Sequence, residues 1–143
     1  MTDSLNTEQT TISIPRTLAN RLLTLAQLSP EAEICGLISI RPDNTYHIYP
    51  IDNVAPDKSC IFEMEPAQQI NAFKIIREKQ EELFAVFHSH PHSAAIPSNK
   101  DIDEASYDSA LNIIISLSTR GVLDMRGYFY QNDKVKVVEL IIS

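Results

Sequence analysis

The chain has no apolar run approaching the roughly 18 residues that a membrane-crossing helix requires. Its first residues, MTDSLNTEQTT, lack the basic start and apolar middle of a secretory signal, so a cytoplasmic location is expected. Cysteine is scarce. Cys35 and Cys60 are too few and too far apart for a disulfide scaffold, and each stands beside apolar residues, which predicts two buried, reduced thiols. Positive charge is also short: 12 Lys and Arg against 19 Asp and Glu give a net charge of −7, with no basic cluster anywhere. Nucleic acid and anionic membrane are therefore excluded as main partners. No repeat, low-complexity tract or Pro/Gly/Ser linker divides the 143 residues, so they are read as one domain, 1–143, with 1–10 flexible.

What is present is 43% hydrophobic residues arranged in alternating helical and strand periods. TISI (11–14) reads as a short strand, and Pro15 opens a helix with Leu18, Leu22, Leu25 and Leu28 on one stripe. EICGLISI (33–40) is apolar on both faces and should pair through a Pro42-Asp43-Asn44 turn with TYHIYPI (45–51). A second helix is expected from Pro66 to about Glu82, with Ala67, Ile70, Phe73 and Ile76 facing inward. LFAVF (83–87) follows as an interior strand, then a short helix over 101–110 and the strands NIIISLS, MRGYFYQ and KVKVVELII. The mixed order predicts helices packed around one central sheet.

Three of the four histidines fall in HSHPH, immediately after LFAVF. On an extended strand residues i and i+2 point the same way, so His88 and His90 form a chelating pair while Ser89 turns away to orient a neighbour. Downstream, Ser98 can cap a helix whose first turn contains Asp101, returning a carboxylate toward the strand end. Two imidazoles and one carboxylate make the three-ligand set of an open catalytic zinc site. Hydrolysis there also needs a base. Glu33 is the candidate, because a carboxylate sharing a face with Cys35 and Leu37 is costly to bury without a partner; Glu31 is the competing choice in an exposed turn. His92 reads as a loop residue, His47 as a strand-surface histidine, and Tyr128, Phe129 and Tyr130 as strand core and face.

Glu33-Ile34-Cys35-Gly36 followed by His88-x-His90-Pro91 and Ser98-x-x-Asp101 resembles the JAMM (MPN+) zinc metalloproteases, whose pattern is a glutamate and then H-x-H-x7-S-x2-D. The resemblance implies an α/β (α+β) fold, an MPN/cytidine-deaminase-like sandwich with a central mixed sheet and about three helices. It implies one Zn2+ per chain on His88, His90 and Asp101, with Glu33 as general acid and base and Ser98 stabilising the oxyanion. It further implies cleavage of a peptide or isopeptide bond at the C-terminal tail of a ubiquitin-like protein of the sulfur-carrier type. A polyubiquitin specificity is not expected, since the chain has little room for the insertions it uses. A homodimer is left open, and a non-catalytic scaffold of the same fold is the alternative reading; such scaffolds lack one or more of the ligands, and none is missing here.

Overall fold

The computed structural model describes residues 10–105, 110–119, 123–131 and 134–143. Seven strands form one sheet in the order β1-β7-β6-β5-β4-β2-β3. They are β1 (Thr10–Ile14), β2 (Cys35–Ile40), β3 (Tyr46–Ile51), β4 (Glu82–His90), β5 (Leu111–Ser116), β6 (Asp124–Gln131) and β7 (Lys134–Ile142). Two pairings are parallel, β1 with β7 and β4 with β5, and the rest are antiparallel. The helices are α1 (Arg16–Gln27), α2 (Pro66–Glu78) and α3 (Asn99–Asp103).

Alternation along the strands divides the core into two layers. On the back face Ile38, Ala85, Phe87, Leu111, Ile113 and Ile115 meet the buried stripe of α1, Leu18, Ala19, Leu22 and Ala26. On the front face Leu37, Ile51 and Val86 lie under Ala72 and Ile76 of α2, while Ile114, Tyr128 and Tyr130 lie under α3 and the segment before it. Because β4 is covered on both sides, it is apolar at every inner position until the histidines, as both-face burial demands.

Several expectations shift in detail. Thr10, placed in the flexible start, already belongs to β1; residues 1–9 lie outside the described residues. β2 starts at Cys35 and leaves Glu33 just before the strand. α2 ends at Glu78 because Gln80 takes a left-handed backbone (φ 57°) that no helix continues. Its inner row is Ala72 and Ile76, which face Leu37 and Val86, so Ile70 points to solvent. α3 runs over 99–103, and 106–109 of the expected longer helix lie outside the described residues. Cys35 is buried as expected, but Cys60 is exposed, since it lies in the surface loop between β3 and α2.

The β2–β3 hairpin forms as read. Asn44 adopts φ 67° in the turn, a conformation asparagine tolerates, and its N–H donates to the Arg41 carbonyl at 2.8 Å.

Candidate active site

β4 and β5 run parallel and end together, with His90 opposite Ser116. Sites in such sheets sit at the carboxyl ends of parallel strands, and the connection from β4 to β5 supplies the remaining groups. His88 and His90 project from the front face and are 3% and 5% exposed, their Nε2 atoms 3.1 Å apart. Ser98 caps α3: its Oγ accepts the Asp101 N–H at 3.0 Å, while Asp101 Oδ2 accepts the Ser98 N–H at 2.9 Å. This reciprocal box holds the same Oδ2 atom 3.2 Å from His88 Nε2 and 3.3 Å from His90 Nε2. Three donor atoms thus form a nearly equilateral triangle. Zinc bonds of about 2.0–2.2 Å at tetrahedral angles place their ligands about 3.3 Å apart, so the triangle fits that ion with a fourth position free.

The surroundings fix the ring that matters most. His90 Nδ1 lies 2.7 Å from the Ala94 carbonyl, which can only accept, so the proton sits on Nδ1 and the Nε2 lone pair faces the triangle. The segment carrying Ala94 is tied to the sheet by Ser116 Oγ donating to the Ser93 carbonyl at 2.7 Å and by Tyr128 OH donating to the Ala95 carbonyl. Phe62, from the loop before α2, stacks on His88 with ring centres 4.4 Å apart and planes inclined by 24°. Burial lowers the proton affinity of His88, keeping it neutral and able to ligate. Burial acts the same way on His90 but is outweighed by its bonds to Asp101 and Ala94, which raise it. For Asp101 burial alone would raise the pKa, yet the two imidazoles hold it well below the usual carboxylate range.

Glu33 completes the surroundings of the histidine pair. It is 3% exposed, and one carboxylate oxygen of Glu33 lies with ligand nitrogens of His88 and His90 in a group spanning no more than 4.8 Å. Its Oε1 has no hydrogen-bond partner among the described residues. Burial pushes its pKa up to about 7, with His90 opposing and Asp101 adding to the shift. A carboxyl poised near neutrality beside a metal-sized triangle is chemically suited to take and return a proton.

Its placement depends on residues that sequence reasoning found only in part. Ser89, turned away from the histidines, accepts the Ile34 N–H at 2.9 Å and donates its own N–H to the Ile34 carbonyl at 3.1 Å. That clamps the residue next to Glu33 onto β4. Asn53 was missed altogether. Its side-chain amide donates to the carbonyls of Glu33 and Ile61, and its oxygen accepts from Ala55 and Glu63, so it staples the 53–63 loop to the site. An Asn in a polar loop has no local signal for this; the only hint is two turn-forming stretches flanking an apolar CIF.

Other singled-out residues lie apart. Glu31 and His92 are exposed and face each other at 3.5 Å. His47 is half-buried near the far end of the hairpin, with Nδ1 2.7 Å from Arg41. The Ser98 hydroxyl is engaged as a helix cap on an exposed residue, and its own proton has no acceptor among the described residues. A groove of about 200 Å³ leads away from His88 and Asp101 between Phe62 and α3, with Val86, Asn112 and Tyr130 on its floor.

Comparison with known proteins agrees with this geometry. Residues 15–128 match the family described as prokaryotic homologs of the JAB domain. A desampylase of Haloferax volcanii is 28% identical over 116 residues, covering 80% of this chain and 81% of the relative. A protein of Thermus thermophilus, named as a probable TtuB-protein conjugate cleaving protease, is 33% identical over 60 residues, covering 42% of this chain and 40% of the relative. Among solved structures, a Desulfitobacterium hafniense protein superposes with a TM-score of 0.79 at 27% identity, covering 92% of each chain. Matched from its first helix into its sixth strand, the chain belongs to the prokaryotic JAB family, the compact prokaryotic type of JAMM/MPN protein.

Proposed function

We propose that the chain is a zinc-dependent hydrolase that cleaves a peptide or isopeptide bond at the C-terminal tail of a ubiquitin-like protein of the sulfur-carrier type. The observation that carries this reading is the convergence of His88 Nε2, His90 Nε2 and Asp101 Oδ2 within 3.1–3.3 Å of one another, with a carboxylate oxygen of the buried Glu33 in the same group as the histidines and Glu33 Oε1 without a partner among the described residues. His88, His90 and Asp101 would hold the zinc. When bound, zinc supplies a Lewis acid that polarises the scissile carbonyl and acidifies water. Glu33 accepts the proton of the attacking water and passes it to the leaving nitrogen, a transfer its near-neutral carboxyl suits. Ser98 keeps its hydroxyl proton free while its oxygen accepts the cap bond, and that proton stabilises the oxyanion. The names of the relatives, a desampylase and a conjugate-cleaving protease, support the substrate class.

The deciding experiment incubates the zinc-loaded protein with a panel of ubiquitin-like carriers fused at their C-termini to a peptide. Cleavage at the carrier terminus is expected, with about one zinc per chain by metal analysis. Glu33→Gln should lower the rate by about 10²–10⁴-fold while retaining zinc, and Asp101→Asn should lose both. Zinc lost in Glu33→Gln but kept in Asp101→Asn would make Glu33 the third ligand and overturn the assignment. No cleavage across the panel, with short peptides cut freely, would replace the carrier by a general peptide substrate.

A further inference from the structure

Tyr130 contradicts the rule that a buried hydroxyl finds a partner. The residue is 6% exposed, packed in the cluster that includes Ile102 and Ala105, and its hydroxyl has no hydrogen-bond partner among the described residues. An unsatisfied buried hydroxyl is costly, and Tyr128, two residues earlier on the same face, meets the demand through the Ala95 carbonyl. Tyr130 also lines the groove that leads away from His88 and Asp101. Burial, and then the negative charge of Asp101, keep its phenol protonated well beyond neutral pH, so it presents a donor.

The position of the groove relative to Glu33 identifies what enters it. Glu33 must deliver a proton to the leaving nitrogen, so the leaving group lies on its side of the triangle. The groove is bounded by His88 and Asp101 and not by Glu33, so it extends from the acyl side, where the carbonyl-bearing tail lies. It is apolar at Phe62 on its wall and Val86 on its floor, which suits an extended chain whose backbone carbonyls need donors from the floor.

We infer that the Tyr130 hydroxyl is a substrate-binding group, donating a hydrogen bond to a backbone carbonyl of the acyl tail one or two residues before the scissile bond. This rests on the hydrolase reading above and adds to it a residue outside the metal-binding pattern. Among the described residues the hydroxyl has no partner and almost no exposed surface, so the arriving tail reaches it by displacing the side chains that cover it, and its unsatisfied state is a cost to stability and a gain in binding.

The test is Tyr130→Phe, which keeps the ring and deletes the hydroxyl. Three readouts are taken beside wild type: steady-state cleavage of a carrier–peptide fusion, affinity of the zinc-loaded protein for a fluorescent peptide copying the carrier tail, and thermal stability. The expected result is a KM about ten-fold higher with kcat little changed, tail-peptide affinity weaker by a similar factor, and a Tm equal to or above wild type. Unchanged KM and unchanged peptide affinity would overturn the inference. So would a clear fall in Tm, which would make the hydroxyl a structural group. If wild type cleaves neither carrier fusions nor short peptides, the hydrolase reading fails by itself, and peptide affinity then decides Tyr130: weakened affinity in Tyr130→Phe upholds the contact, and equal or no binding in both proteins overturns it.

Discussion

Glu33, the base in the proposed reaction, carries a buried carboxyl that is unfavourable to the fold once it is charged. Its folded pKa of about 7 lies above the ordinary 4.5, so its contribution to stability is fully present below pH 4.5 and is lost as pH rises through 7. In the zinc-free protein Glu33→Gln should therefore raise the unfolding free energy at pH 8, on the order of 2 kcal/mol after allowing for the water that reaches the cleft, with no gain at pH 4. Denaturant titrations at the two pH values check this. Ser89→Ala should act in the opposite sense, leaving the Ile34 N–H without its acceptor; a loss of about 1–2 kcal/mol is expected, with a fall in kcat that exceeds any loss of zinc. The histidine pair was visible in the sequence because its two-residue spacing is itself the geometry. The clamp by Ser89 was not, since its partner lies 55 positions away and only the β2–β4 register brings them together.

Among the elements, β2 carries the tightest constraints. A Cβ on Gly36 would lie 2.3 Å from the Tyr49 carbonyl and 2.7 Å from the Phe87 ring, and the carbonyl is backbone that cannot yield. Gly36→Ala should cost about 2–3 kcal/mol and lower Tm accordingly. At the other end of the same strand, Ser39 donates to Glu81 at 2.6 Å, joined by Tyr49 at 2.7 Å and by the Arg41 guanidinium. Burial alone would raise the Glu81 pKa, but these donors outweigh it and lower it below 4.5. The stabilisation is present above about pH 4.5 and disappears as pH falls through the depressed value. Glu81→Gln should accordingly destabilise the protein at pH 7 by about 2 kcal/mol and flatten its acid unfolding curve below pH 4.5, measured by circular dichroism. Strands were legible because burial on both faces writes unbroken apolar runs such as LFAVF. The rotation of α2 was harder to read: of the stripe Ala67, Ile70, Phe73 and Ile76, Ile76 and Phe73 do pack inward, while contact with Leu37 and Val86 brings in Ala72 and leaves Ala67 and Ile70 exposed.

For the molecule as a whole, a zinc ion that binds the native triangle and not the unfolded chain adds its binding free energy to stability. Chelation should lower Tm by several degrees, and restoring zinc should reverse the change, as scanning calorimetry would show. Asp101→Asn should lose most of that increment while retaining its capping serine. The overall architecture followed from element order and periodicity, whereas the exposure of Cys60 and the hub role of Asn53 depended on the path of the loop from β3 to α2, which has no period to read.

The 55 positions from Glu33 to His88 also bear on folding. Glu33 stands just before β2, and the two histidines lie on β4, the antiparallel neighbour of β2; β3 and α2 intervene in the chain, so no local segment contains both. Contacts of such sequence separation form late, because loop closure must precede them. A growing or partly folded chain therefore holds harmless fragments of a hydrolase, and catalytic competence emerges only with the completed sheet. Activity regained during refolding should lag behind helix formation and coincide with the last cooperative step, making the enzyme its own reporter of a finished fold.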